Sequence, residues 1–334
     1  IAAASPLDEG AEIDSRLDYR WVDLRTTKNT LTFRIQSALV EAMREYMYEH
    51  KFTEIHSPKM IAAASESGSD VFELTYFDGK AYLAQSPQFY KQMAMAAGFD
   101  RIFEVGPVFR AEKSFTNRHS TEFTGFDIEF SYIDSYEDVM DMEEGILTYA
   151  LAKIKERYGK EIEEIFGKPV IVPTKKFPRI KLKDLYEEIE KRYGYTVPES
   201  EKNDLTSEAE KLGCKFAMEE YNSEFLFVTD FGPEKRAFYH MRDENGTPLG
   251  YDLLWRGVEI TTKRTQIRYL KKISRRERTR KGRRVLLRVL QIRMPSTWWI
   301  WSRYRQIDDA SFEPSKFKRD RIHIQRSKQT DTLR

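Results

Sequence analysis

The segment FRAEKSFTNRHSTEFTGFDIEF, residues 109–130, carries the reading of the fold. Residues 101–110 run into it and residues 122–132 run out of it, and both alternate polar with apolar side chains. A period of two belongs to a strand with one buried face. Residues 111–121 between them are predominantly polar. Two antiparallel strands joined by a long polar loop are therefore predicted.

Around this pair, residues 28–50 set Leu31, Phe33, Ile35, Leu39, Met43 and Met47 at roughly helical spacing, with Glu41, Arg44 and Glu45 outside; this predicts an amphipathic helix. A short strand over 52–55 follows, ending before Pro58. Residues 72–84 read as a hairpin turning on Asp78-Gly79. Helices are predicted over 89–97, just after Pro87, and over 136–158, 183–193 and 205–213. Further strands are predicted over 224–228, 236–241 and 250–256. Hairpin-paired strands with segregated helices predict an α+β domain, an antiparallel β-sheet flanked by helices. There is no internal repeat and no glycine-rich phosphate loop.

Composition narrows the class. The 334 residues carry 56 Lys+Arg against 54 Asp+Glu, a net charge of +2, and 40% are hydrophobic. That balance argues against a bulk-basic nucleic-acid binder, and the apolar content supports a packed core. The single cysteine, Cys214, excludes an intrachain disulfide and a Cys-rich zinc site, and fits a reducing compartment such as the cytoplasm. No apolar run approaches the roughly 20 residues of a membrane span. The average hides a break, however. Residues 263–334 hold 23 Lys+Arg and 6 Asp+Glu, a net of +17, whereas residues 1–262 hold 33 and 48, a net of −15.

Three clusters carry candidate chemistry. Arg110, Glu112, Arg118, His119 and Glu122 lie on or beside the polar loop. Arginines there suit a polyphosphate, since guanidinium groups meet phosphate oxygens bidentately, and Phe123 suits stacking on a base. The same residues equally suit a solvated, ion-paired hairpin. In QSPQFYK (85–91), Gln85, Ser86, Gln88 and Lys91 would offer neutral donors and one cation to a small zwitterion, or form an ordinary helix start. In YDLLWRGVEI (251–260), Asp252 and Glu259 would suit Mg²⁺, which takes one or two carboxylates alongside phosphate oxygens, or would be outward charges on a strand.

Taken together, the phrases SPKMIAAASESGSDVF, YLAQSPQFYKQ, FEVGPVFRAE, RHSTEFTGFDIE and RGVEI make residues 16–262 resemble the catalytic domain of class II aminoacyl-tRNA synthetases. The subgroup is aspartyl/asparaginyl/lysyl, and the aspartyl form, including enzymes that also charge the asparagine tRNA, is the most similar. The resemblance implies an ATP-dependent ligase that activates L-aspartate and transfers it to tRNA(Asp), or to tRNA(Asn) as well, with Mg²⁺. It also implies a homodimer built through the first-motif region around Pro58. By position, Arg110 would meet the ATP α-phosphate. Glu112, Arg118 and His119 would belong to the loop over ATP, and Phe123 would stack on adenine. Ser65 and Glu66 would close over the amino acid. Gln88 and Lys91 would bind aspartate, Lys91 at its side-chain carboxylate, and Asp127 would receive its ammonium. Asp252 and Glu259 would hold the metal. Other readings of the same fold are an asparaginyl enzyme, a tRNA-independent enzyme forming free asparagine, and a non-catalytic relative.

Several expectations about organisation follow. The chain opens on Ile1, and residues 1–15 read as a linker from a missing N-terminal anticodon-binding domain. Residues of about 160–245 read as an insertion. After RGVEITT, the family's next segments, with their substrate arginines and a Gly-Gly-Phe-Gly-Leu-Gly run, are absent. Tryptophan has the single codon TGG, so Trp298-Trp299-Ile300-Trp301 is spelled TGG TGG ATH TGG. Read one base later, this must give Gly, Gly, then Phe, Tyr or Ser, then Gly. Allowed codon choices from Arg293 to Arg305 extend it to Gly-Cys-Pro-Pro-His-Gly-Gly-Phe-Gly-Leu-Gly-Ile-Asp. The expectation is that residues 263–334 are a frameshifted basic tail, and that the chain as written neither activates aspartate nor folds cooperatively there.

Overall fold

The structure is a computed structural model that describes residues 11–62, 71–111, 120–233, 241–266 and 297–303. Two short helices, α1 (Ile13–Asp18) and α2 (Arg20–Asp23), lead into the long α3 (Thr27–Glu49). Next come β1 (Thr53–Glu54), β2 (Met60–Ile61), β3 (Glu73–Tyr76) and β4 (Gly79–Leu83). α4 (Gln88–Ala96) precedes the central pair β5 (Arg101–Phe109) and β6 (Glu122–Ser131). They are followed by α5 (Glu137–Phe166), β7 (Arg179–Lys181), α6 (Leu182–Tyr193) and α7 (Ser207–Tyr221). β8 (Phe225–Thr229), β9 (Gly250–Trp255), β10 (Val258–Gln266) and β11 (Thr297–Arg303) complete the sequence of elements.

Eight strands form one sheet in the order β1-β5-β6-β11-β10-β9-β8-β7, and β2, β4 and β3 form a small second sheet. The β5–β6 pair has unbroken antiparallel register from Arg101↔Phe130 to Phe109↔Glu122, as the alternation predicts. All interior pairings are antiparallel, and only the edge pairs β1–β5 and β7–β8 run parallel. The fold is thus α+β, with helices on both faces.

Alternation assigns the two faces. Phe126, Ile128 and Phe130 of β6 join Phe103 of β5 in a core closed by α3 and α5. α3 contributes Leu31, Ile35, Leu39, Met43 and Met47 at the predicted spacing, whereas Phe33, two residues from Leu31 and so off the stripe, is exposed; Thr26 caps the helix by accepting from the Asn29 N–H. Burying each such Leu or Met contributes about 1.5–3 kcal/mol. The opposite face carries Asp127 and Glu129 beneath α4. Further along the same sheet, α6 and α7 form a second core over Leu226, Val228 and Leu254.

Several boundaries differ from the sequence reading. The hairpin turn is one residue earlier, at Phe77-Asp78, because Tyr76 pairs with Gly79, and Phe77 takes the left-handed conformation at φ 49°. α5 runs past 158 to Phe166, since Ile162 continues its buried stripe, and it stops at Gly167 in the left-handed conformation. α7 runs through Gly213 instead of ending there. A Cβ at Gly213 would lie 3.2 Å from Leu254 and 3.4 Å from Leu185, so this glycine serves close packing within the helix. α1 begins inside the stretch read as a linker. Within the stretch read as an insertion, β7 and β8 extend the main sheet. The strand expected over 236–241 falls largely outside the described residues. Past 262, β10 continues to Gln266 and β11 lies between β6 and β10; residues 267–296 and 304–334 lie outside the described residues.

Candidate active site

The site is built on the α4 face of the sheet. α4 follows the Gln85-Ser86-Pro87 turn, in which the Ser86 hydroxyl accepts from the Gln88 N–H at 3.3 Å. Spacing of three and four puts Gln88, Lys91, Gln92 and Met95 on one buried stripe. That stripe lies on β6. The Lys91 ammonium donates to the Asp127 carboxylate at 3.0 Å and sits 3.8 Å from Glu129, with side-chain exposures of 0% for Lys91 and 2% for Asp127. Both amide atoms of Gln88 are buried without a hydrogen-bond partner among the described residues. An orphaned buried amide costs about 1–3 kcal/mol, and a polar ligand would relieve that cost.

Asp127 stands directly across from Glu104 of β5. The Glu104 carboxylate is held by the Ser57 N–H and hydroxyl, each at 3.0 Å, and by the Lys59 ammonium at 2.6 Å. Burial pushes the Asp127 carboxyl up to about 6, against the pull of Lys91 and with a smaller push from Glu104. Two neighbouring acids, Asp127 and Glu104, thus form the floor of the site, each with its own ammonium group.

At the open end of the β5–β6 pair, the Arg110 N–H donates to the Thr121 carbonyl at 2.9 Å, which extends the ladder into the loop. Its guanidinium lies 5.9 Å from the centre of the Phe123 ring. Phe123 packs on Val108 and is largely buried. It is an even number of residues from Asp127 on β6, hence on the same face.

Backbone register connects this floor to the second acidic pair. Reading across the sheet from Asp252, the aligned positions are Thr262, Trp301, Asp127 and Glu104. Glu259 pairs with Leu254, two positions from Asp252, and a bulge follows before Thr261. The Glu259 N–H donates to Glu210 of α7 at 3.1 Å. Two carboxylates on one face, Asp252 being buried, fit an Mg²⁺ ion that takes its other ligands from phosphate and water. Among the described residues no cluster of three or more His, Cys, Asp or Glu is poised for a metal. No described helix is long and apolar enough to cross a membrane.

The structure thus brings Gln88, Lys91 and Asp127 together, and it places Arg110 with Phe123 and Asp252 with Glu259 on the same face. Ser65, Glu66, Glu112, Arg118 and His119 lie outside the described residues. Sequence reasoning missed Gln92, Glu129, Glu104 and Lys59. The stripe spacing of α4 and the alternation of β6 were signals for the first two. Glu104 and Lys59 come together only through tertiary pairing.

Comparison with known proteins agrees with this geometry. The family described as tRNA synthetases class II (D, K and N) matches residues 12–292. The aspartate–tRNA(Asp/Asn) ligase of Aeropyrum pernix is 42% identical over 257 residues, covering 76% of this chain and 58% of that protein. The aspartate–tRNA(Asp) ligase of Pyrococcus abyssi is 41% identical over 254 residues, covering 75% and 57%. The chain therefore spans under two thirds of these relatives. Among solved structures, aspartyl tRNA synthetase from Entamoeba histolytica superposes with a TM-score of 0.77 at 31% identity, over 93% of this chain and 61% of that one. Asparaginyl-tRNA synthetase from Pyrococcus horikoshii, complexed with asparaginyl-adenylate, gives 0.79 at 26% identity, over 90% and 70%.

Proposed function

Since the chain belongs to the tRNA synthetases class II (D, K and N), we propose that it is the catalytic part of a cytoplasmic aspartate–tRNA ligase. The observation that carries this reading is the buried stripe of α4, which holds an orphaned Gln88 amide and, one turn on, Lys91 in its ion pair with Asp127. That combination suits a small zwitterion with an anionic side chain. Lys91 meets the side-chain carboxylate of L-aspartate, and Asp127 receives its ammonium.

The reaction needs no general base, because the attacking group is already an anion. An oxygen of the aspartate α-carboxylate bonds to the α-phosphorus of ATP. The phosphorus–oxygen bond to the β-phosphate breaks, and pyrophosphate leaves with the bonding electrons. Arg110 balances the charge gathering on the α-phosphate, and Phe123 beneath it offers an apolar surface to the base. Catalysis is orientation plus electrostatic stabilisation. Asp252 and Glu259 would hold Mg²⁺, which supplies positive charge to the phosphates when bound. The activated aspartate then passes to the terminal ribose of tRNA(Asp), or of tRNA(Asn) in a dual-specificity form, with release of AMP. Pro58, between β1 and β2, and Met60, which opens β2, are exposed and suit the homodimer contact. Aspartate-dependent exchange of pyrophosphate into ATP, measured on the protein translated in the family's frame past residue 262, tests the assignment; exchange driven by asparagine instead of aspartate would overturn it.

The reading frame past 262 forms the second part of the proposal: residues 263–334 are translated one base out of frame. The abrupt change from a net of −15 to +17 and the forced Gly-Gly-x-Gly support it. The register adds a reason. Position 301 lies in the row between Asp127 and Asp252, and the shifted frame puts a glycine of the Gly-Gly-x-Gly run at that position. Sequencing the coding DNA should show an open frame one base later through the Gly-Gly-x-Gly. A stop codon inside that stretch rejects the shift. The frame-corrected protein should exchange pyrophosphate, and the chain as written should not.

A further inference from the structure

Behind the Lys91–Asp127 pair lies a second layer that the reaction does not use. Gln92 follows Lys91 on α4, and its side-chain N–H donates to one oxygen of the Glu129 carboxylate. The other Glu129 oxygen lies 3.8 Å from the Lys91 ammonium. All four side chains are buried, so an amide, a carboxylate, an ammonium and a second carboxylate follow one another in a dry line. A buried carboxylate stays ionised only where donors and cations compensate its lost hydration. Gln92 is the neutral donor that orients Glu129. Glu129 and Asp127 together then fix where the ammonium sits. Among the described residues, Glu104 of β5 and Lys59, which are paired with each other, also face this line. The Gln92 carbonyl oxygen and both Gln88 amide atoms, one helical turn apart, are buried without a hydrogen-bond partner among the described residues. These buried orphans share the α4 stripe with Lys91, and a polar ligand there would satisfy them.

We propose that Gln92 and Glu129 are positioning residues that hold Lys91 as a reader of side-chain charge, so that the site takes an amino acid ending in a carboxylate over its carboxamide. This rests on the amino-acid site of the preceding section. A fixed ammonium gives a carboxylate a charge-assisted bond that the equally shaped carboxamide cannot match. A loosened ammonium loses that difference before it loses the shape of the pocket.

Two measurements on the frame-corrected full-length protein test this with Gln92→Met, which keeps the volume without the amide, and with Glu129→Gln, which keeps the size without the charge. In calorimetric titrations, each variant should weaken L-aspartate about tenfold or more and L-asparagine about threefold or less. Equal losses for the two ligands, or none, overturn the proposal. In the second measurement, acetylation by an amine-reactive ester is followed by peptide mass spectrometry. Lys91 should label several-fold faster in both variants, while Lys59 stays at its wild-type rate. Unchanged labelling of Lys91, or an equal rise at Lys59, overturns the positioning role. A frame-corrected wild-type protein that binds neither amino acid defeats the preceding reading, and this one is then decided by the labelling.

Discussion

The Lys91 ammonium and the Asp127 carboxylate form an ion pair of 3.0 Å between helix α4 and strand β6, out of reach of solvent. Such a pair is weak evidence of stability, because desolvation offsets most of the Coulomb gain. Breaking it from one side is another matter. Lys91→Met should destabilise the chain by about 3–5 kcal/mol in urea unfolding at neutral pH, since it strands a buried carboxylate. Adding Asp127→Asn should recover a large part of that loss. Additive losses in the double variant would show that the two groups do not depend on each other.

The raised Asp127 carboxyl fixes a pH dependence. Its folded value of about 6 lies above the ordinary 3.8, so the folded chain binds this proton more tightly than the unfolded chain does. The contribution of this group is full below pH 4 and is lost as pH rises towards 6. The displacement corresponds to about 3 kcal/mol. Relative to Asp127→Asn, the wild-type protein should therefore lose stability across pH 4–6 and run parallel to it above pH 7. Urea midpoints at half-unit pH steps check this. Parallel curves from pH 4 to 7 contradict it.

How much of this could be read in advance follows from which forces are local. The β5–β6 pair was legible because alternation is written residue by residue, and Lys91 and Asp127, drawn from two separate phrases of the sequence, meet in an ion pair. The turn at Phe77 was missed because Gly79 is the better local turn former, but cross-strand pairing outweighed it. The extent of α7 was missed because Gly213 breaks a helix by propensity, whereas here its missing side chain admits Leu254 and Leu185. The members of the Lys59–Glu104 pair are 45 positions apart in sequence, and no periodicity announces them.

Gly145 offers a prediction in which propensity and packing oppose each other. It lies inside α5, where exchange to alanine would ordinarily gain about 1 kcal/mol. A Cβ there would meet the Tyr46 ring at its Cζ, 2.9 Å away, and overlap its hydroxyl. Tyr46 stacks on His50 with ring centres 4.0 Å apart, so it has little freedom to withdraw. Gly145→Ala should therefore destabilise by about 1–3 kcal/mol, and Gly145→Ala combined with Tyr46→Phe should lose less. Thermal unfolding of the three variants measures the difference, and a stabilised single variant would show that α3 and α5 part easily at this crossing.

Arg110 and Phe123 should act as a unit in the frame-corrected protein. The Arg110 backbone is tied to Thr121, and its guanidinium rests over the Phe123 ring at 5.9 Å. Arg110→Ala removes charge that opposes the developing phosphate charge, and should lower kcat for pyrophosphate exchange by about 100-fold to 1,000-fold. Phe123→Leu should act mainly on the KM for ATP, because the ring offers surface to the base in ground and transition states alike. Phe123→Leu also leaves the guanidinium without its ring, so part of its effect passes through Arg110. The double variant should accordingly lose less than the product of the two single losses, with a coupling of about 0.5–2 kcal/mol. Strictly multiplicative losses would mean that the ring serves the base alone and does nothing to aim the arginine.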